Sequence, residues 1–437
     1  MSPRPSRRLT NTLCLLSIPR MDNPTAIFIL VALLALWNLD FISSLLNLKA
    51  LDPKLPEEFR EVYDEDKYAK SQEYTRVSER YGIITATYSL TVLLIFWFMG
   101  GFGWTDQWLR SFGWNDTVTG IAFIGVLFLG NTLLTLPFSI YDTFVIEERF
   151  GFNKTTPKTF VIDQIKGLIL AAVLGLPLLA MVLWIFGAVT NAWLWAWLAF
   201  TAFQLLMTYL APTFILPLFN KFKPMEDGEL KSRIQEMSKK CDFPLTEIHV
   251  MDGSKRSTKS NAFFTGFGKR KKIALFDTLI ENHGVDELLG VLAHEVGHFK
   301  KKHIIQRMLF GIVQTAAVFF LLGLVTDKSS GFSRELFDAF GVTEISTYAG
   351  LVFFMLLFSP VSRILSVIGN LSSRKHEFEA DAYAADIQDT PDHLIKALKK
   401  LAADNLSNLT PHPFPVFLDY SHPPMLVRIK ALNALKK

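Results

Sequence analysis

Two cysteines in 437 residues, Cys14 and Cys241, leave no disulfide framework and no cysteine-based metal cluster, and they put no constraint on redox compartment. Charge is also scarce. Asp, Glu, Lys and Arg make up 20% of the chain, less than an ordinary soluble domain carries, and they are crowded into a few stretches. They nearly cancel: 45 basic residues against 41 acidic ones leave a net charge of +4, which gives no reason to expect a nucleic-acid partner. Tyrosine is rare beside phenylalanine, 10 against 38, so the aromatic content is mostly apolar.

Apolar sequence is what the chain has in abundance. Half of all residues are hydrophobic, and runs of membrane length occupy roughly 25–46, 84–104, 118–138, 168–188, 191–216, 304–325 and 346–369. One such run can be a buried helix of a soluble protein, but seven cannot share a single soluble core. Asn131 and Pro137 interrupt the third run, and the fifth continues into "TYLAPTFILPLF" (208–219). Such prolines are tolerated where neighbouring helices or water satisfy the freed carbonyls. Asn38, Asp40, Asn131 and Asn191 lie in or near the runs, where a polar group is expected to face an interior or water.

The intervening loops set an orientation. Residues 220–303 hold sixteen Lys or Arg, whereas 105–117 has Arg110 alone and 326–345 has Lys328 and Arg334. Seven spans put 47–83, 139–167, 217–303 and 370–437 on one side, and the basic bias makes that side cytoplasmic. The N-terminus then faces outward, against the charge of Arg4, Arg7, Arg8 and Arg20; a start at Met21 removes the conflict. Residues 1–20 are expected to be a poorly ordered extension. The chain divides into that extension, membrane helices one to five in 21–216, a polar segment 217–303, helices six and seven in 304–369, and a C-terminal segment 370–437. Residues 47–83 are polar with a helix-forming composition.

Within 217–303 a small α+β domain is readable. "EDGELKSRIQEMSKKCDF" (226–243) places Leu230, Ile234 and Met237 at helical spacing. "EIHVMDG" (247–253), "SNAFFTGFG" (260–268) and "KKIALFD" (271–277) read as three strands, the last two joined by a basic turn. A helix then begins near Val285 and carries "HEVGH", residues 294–298.

On a helix, residues four apart share a face, so His294 and His298 can offer two imidazoles to one cation. Glu295 sits beside them as a candidate general base. Gly297 is costly in a helix interior and makes sense where something approaches the backbone closely. A catalytic zinc needs a third protein ligand, with its fourth position left open. His303 is nearest, but five residues turn a continuous helix by about 140°, which points it off the metal face. It reads as an interfacial polar residue beside Lys300–Lys302. Downstream, "SSRKHEFEADAYAAD" (372–386) reads as a helix led by Ser372 and Ser373, with Glu377 and Asp381 on one face and His376 and Glu379 elsewhere. One carboxylate as ligand and one holding a histidine N–H is the usual division of labour. Spacing alone does not choose between Glu377 and Asp381.

"SKRSTKSNAFFTGFGKRKKIALFDTLI" (254–280), "HEVGH" (294–298), "SRKHEFEADAYA" (373–384) and "LSNLTPHPFPVFLDYSHPP" (406–424), with the seven spans, give the chain a close resemblance to the type I CAAX prenyl protease family, membrane-embedded zinc metalloproteases. The resemblance covers nearly the whole chain from Met21. It implies an all-α multi-pass membrane protein whose seven helices form a chamber, with a small α+β metalloprotease domain on the cytoplasmic side. It implies one Zn2+ per chain on His294, His298 and Glu377, with Glu295 as base and Asp381 orienting a ligating histidine. Asn261 and Ala262 resemble positions on a substrate-pairing edge strand. His422 and Arg428 resemble residues lining the site, and a donor such as His422 would suit the developing oxyanion.

The implied reaction is endoproteolytic removal of the C-terminal tripeptide after a prenylated cysteine. The implied partners are a prenylated CAAX peptide or a membrane-associated polypeptide and the lipid bilayer, with no nucleic acid and a monomeric chain. The implied setting is a bacterial inner membrane or the endoplasmic reticulum membrane, with the site open to the cytoplasm. Two other readings fit parts of the sequence. The heat-shock membrane zinc proteases, which serve quality control, share "HEVGH" and the later Glu motif but have fewer spans. A transporter or scaffold with structural zinc would close the site with a fourth protein ligand.

Overall fold

The computed structural model of the chain describes residues 22–265 and 271–436. The expected N-terminal extension, the alternative start at Met21 and the basic turn between the last two strands lie outside the described residues.

Seven helices are long and apolar enough to cross a membrane: α1 (Pro24–Lys49), α2 (Glu65–Phe98), α3 (Asp116–Glu147), α4 (Pro157–Ala188), α5 (Ala192–Phe219), α8 (His303–Val325) and α9 (Thr347–Ile387). Five further helices and a sheet make up the domain around the site: α6 (Glu229–Lys240), α7 (Val285–Lys300), α10 (Asp392–Asp404), α11 (Pro413–Asp419) and α12 (Met425–Asn433). The membrane helices start where the sequence supplies caps. Asn23, Asp64, Asn115 and Thr156 each accept a backbone N–H from the first turn of α1, α2, α3 and α4. Short π-helical stretches at Asp142–Glu147, Ala171–Gly175 and Ala211–Ile215 fall in α3, α4 and α5; they lie close to Pro137, Pro177 and Pro212.

Around the molecule α1 packs on α2 and α9, α3 on α4 and α9, α4 on α5, α5 on α8, and α8 on α9. Tyr81 of α2 donates to the Phe138 carbonyl of α3, 2.5 Å away, which closes the remaining gap. The seven helices therefore form a ring. Only 0% to 22% of each apolar window is buried, so the midsections are packed against little on either face, as expected of a hollow ring in lipid. Buried side chains gather at its two ends. One end is an apolar cluster with an aromatic centre of Trp97, Phe102, Phe340 and Phe353. The other is the α+β domain, whose core joins α6, α7, α10 and the sheet.

That sheet has four strands, β1 (Phe222–Pro224), β2 (Leu245–Met251), β3 (Ala262–Thr265) and β4 (Lys271–Phe276), in the order β1-β2-β4-β3. β2 and β4 are parallel, the outer pairs antiparallel, and β3 is an edge strand.

Two expectations need correction. The second span stops at Phe98, and Gly101–Arg110 is a separate amphipathic helix; the same span begins as early as Glu65, inside the stretch read as a loop. Local composition changes from charged to apolar midway along one continuous helix, so a hydropathy window finds only its second half. Likewise no helix begins at Ser372: α9 runs unbroken for 41 residues through both serines, carrying the last span directly into the site.

Candidate metal centre and active site

Helix α7 starts where Glu287 reaches back to the Gly284 N–H (2.9 Å) and is itself held by Lys400 (2.7 Å). Leu288, Leu289, Leu292, Ala293 and Val296 are buried, and the helix lies against α9 and α10. Gly297 explains how close that approach is. A Cβ there would sit 3.0 Å from Ala380 Cα and 3.1 Å from its carbonyl oxygen. The two backbones touch, which brings Glu377 and Asp381 of α9 up to the histidines of α7.

His294 Nε2 and His298 Nε2 face each other at 3.1 Å, and Glu377 offers Oε1 at 3.2 Å from His298 Nε2 and Oε2 at 3.4 Å from His294 Nε2. One ligand atom from each of the three residues lies within 4.8 Å of the others. The outer nitrogens are occupied. His294 Nδ1 is 2.8 Å from Asp381 Oδ1, so it carries the proton and donates it. Its Nε2 lone pair then points at His298 Nε2 and a carboxylate 2% exposed, whose Oε2 has no hydrogen-bond partner. Converging lone pairs and an orphaned buried carboxylate oxygen fit a cation, and an N2O donor set with one side open fits a single catalytic Zn2+. Burial alone would push the His294 imidazole down, but Asp381 and Glu377 outweigh it and hold it up at about 9. The site favours positive charge.

Arg428 is buried, donating to Asp381 Oδ2 from Nε (2.9 Å) and to Oδ1 from NH2 (2.5 Å), with NH1 3.4 Å from Glu377 Oε2. It ties α12 to both carboxylates of α9. His422 is exposed; its Nε2 stands 3.5 Å from Glu377 Oε1 and its Nδ1 is paired with Ser421 Oγ at 3.0 Å. Glu295 is half-buried. Burial pushes its carboxyl above the usual range, with His294 and His298 pulling it part of the way back.

A cavity of about 320 Å³ collects Glu295, His294, Glu377, His422, Arg428 and the beginning of the edge strand, Asn261 and Ala262. The approach to that strand is fastened to the ring. Arg256 binds Asp163 of α4 through Nε (2.7 Å) and NH2 (3.0 Å). Lys259 Nζ reaches Glu147 of α3 and Tyr74 of α2, both at 2.9 Å. The expected site residues thus converge from β3, α7, α9, α12 and the loop before it.

One family model, the CAAX prenyl protease N-terminal region with five membrane helices, matches residues 44–221, and a second, peptidase family M48, matches 224–436. The chain belongs to the CAAX prenyl protease family of M48 peptidases. It is 36% identical over 410 residues to CAAX prenyl protease 1 of Saccharomyces cerevisiae, covering 88% of this chain and 90% of that one. The human CAAX prenyl protease 1 homolog is 33% identical over 438 residues, at 88% and 89% coverage. The crystal structure of S. mikatae Ste24p superposes with a TM-score of 0.86 at 35% identity, covering 95% of this chain and 99% of that one. Together with the His294–His298–Glu377 centre, membership makes this a zinc-dependent endopeptidase of the CAAX prenyl protease type, built as a multi-pass integral membrane protein.

The expectation for His303 fails. Far from being interfacial it is 1% exposed, and its Nδ1 lies 2.9 Å from His298 Nδ1. A continuous helix would have turned it off the metal face. Instead Lys302 takes the left-handed conformation (φ 59°), α7 ends, and α8 restarts at His303 with its ring turned back beneath His298. His376 and Glu379 were set aside with it, yet both pack on His303. A histidine five residues after the motif was the available signal; a left-handed lysine has no sequence signature.

Proposed function

We propose that the enzyme removes the C-terminal tripeptide from prenylated CAAX substrates, with the cleavage centre reached from the cytoplasmic side of its membrane. The observation that carries this reading is the shared cavity: His294, Glu377, Glu295 and the start of the edge strand open into one space, in a chain with seven helices long and apolar enough to cross a membrane. The names of the relatives support the substrate class, and the sixteen basic residues of 220–303 support the side.

His294, His298 and Glu377 would hold the zinc, which would supply Lewis acidity toward the scissile carbonyl and toward water. The chain's own groups do the rest. Asn261 and Ala262 at the start of β3 align an extended peptide along the edge. Glu295 accepts a proton as water adds to the carbonyl carbon, a step its raised proton affinity favours, and passes it to the more basic departing amine nitrogen as the C–N bond breaks. His422, exposed to the cavity and close to Glu377, donates to the carbonyl oxygen as negative charge builds there. Asp381 and Arg428 hold His294 and Glu377 in place. A hollow ring suits a substrate whose lipid must stay in an apolar environment while its peptide end reaches the metal.

Mass spectrometry of a farnesylated CAAX peptide incubated with wild type and Glu295→Gln tests the reading. The wild type is expected to release the tripeptide and the variant to leave the peptide whole while retaining zinc. A peptide left intact by the wild type would sink the substrate assignment, and full activity in Glu295→Gln would sink the mechanism.

A further inference from the structure

We propose that His303 and Glu379 are positioning residues that fix the tautomer and the orientation of His298, an inference that rests on zinc being bound by His294, His298 and Glu377. His303 Nε2 is 2.9 Å from Glu379 Oε2, and a carboxylate only accepts, so that nitrogen carries the hydrogen. In a neutral imidazole His303 Nδ1 is then a bare acceptor, and the hydrogen in the 2.9 Å contact with His298 Nδ1 belongs to His298. That leaves the lone pair of His298 on Nε2, the atom facing His294 and Glu377. The order of donors follows from the one group in the chain that cannot donate.

Packing fixes the plane of the His303 ring. The His376 ring stacks on His303 with centroids 4.0 Å apart and planes 10° from parallel. His376 is itself turned by Gln306: the amide donates from Nε2 to the Lys301 carbonyl (3.0 Å), so its Oε1 accepts from His376 Nε2 (3.2 Å). The two metal histidines are therefore supported differently. Asp381 backs His294 directly, whereas a carboxylate on the opposite side backs His298 through an intervening neutral imidazole. The second support depends on the left-handed Lys302, without which His303 could not face back toward His298.

The test uses the full chain in detergent, stripped of metal, with zinc titrated against a chromophoric chelator. His303→Phe preserves the stack on His376 and removes the acceptor; zinc affinity is expected to fall about 10- to 100-fold, the usual effect of losing such a partner. His303→Asn places an amide oxygen near the old Nδ1 and is expected to recover most of the loss. A His303→Phe affinity within twofold of the parent overturns the proposal, as do equal losses in the two variants, which would show that restoring an acceptor at this position recovers nothing. If His303→Phe does not fold, Glu379→Ala decides: weaker zinc binding supports the relay, and unchanged binding overturns it. A parent that binds no zinc overturns this inference and the catalytic reading together, whereas a zinc-binding parent with unaffected variants overturns this inference alone.

Discussion

At one end of the helix ring Trp97 stacks on Phe340 (4.7 Å), Phe340 lies nearly parallel to Phe353 (4.1 Å), and Phe102 meets both edge-on. Trp97 Nε1 donates to the Ala339 carbonyl, so this aromatic cluster leaves its indole satisfied. At the other end ion pairs fasten the ring to the domain: Arg256 with Asp163, Lys259 with Glu147, and Arg363 with Asp419 at 2.7 Å, while Arg363 also holds Asp40 of α1 at 2.8 Å. The aromatic end binds helices to one another through area removed from water, which is not directional. The catalytic end fixes positions through directional pairs, which matter to a site whose geometry must hold within fractions of an ångström. Packing of the ring and positioning of the site are thereby divided between its two ends.

Substitutions can break or sharpen that separation. Glu295→Gln should cost the most, about 10²- to 10⁴-fold in kcat as expected for a lost general base, with zinc content and melting temperature unchanged. A matching loss of zinc would show that Glu295 also supports the metal. Phe353→Ala at the aromatic end should lower stability by about 3–5 kcal/mol while folded protein keeps its zinc affinity; thermal unfolding and zinc titration on the same sample separate the two. Asp381→Asn should weaken zinc about 10- to 100-fold, because an amide can present its NH2 where His294 needs an acceptor and leaves Arg428 without its anion; metal titration reads this directly. Gly297→Ala should cost about 1–3 kcal/mol through the clash with Ala380 and lower zinc affinity and melting temperature together. It is the one change of the four expected to cross the division, since the same contact both packs the domain and sets the distance from Glu377 to the histidines.

Much of this was legible in the sequence. The number and order of the seven spans, the helix from Val285 and three of the four strands (Leu245–Met251, Ala262–Thr265 and Lys271–Phe276) agree with periodicity and composition, while the bounds of the second and seventh spans do not, because each of those helices changes composition along its length. Glu377 joined His294 and His298 only through the family resemblance; helical spacing offered Asp381 equally. The structure gives the physical difference. Asp381 faces His294 Nδ1 and the guanidinium of Arg428, while Glu377, one turn earlier, faces both Nε2 atoms. What stayed hidden depends on tertiary contact or on chain reversal. The backbone touch at Gly297 had a sequence trace, a glycine inside a helix, whereas the bend at Lys302 and the pairing of Arg428 with Asp381 had none.

Helix α9 carries Phe353 in the aromatic end and Glu377 at the metal on a single uninterrupted rod. Twenty-four residues of helix are roughly 36 Å, so pivoting the rod by about 2° at Phe353 swings the carboxylate through about 1 Å. Pro360 lies between the two, at the point where such a rod most readily flexes. Coordination distances at the zinc are therefore coupled, by simple leverage, to how the last membrane helix leans.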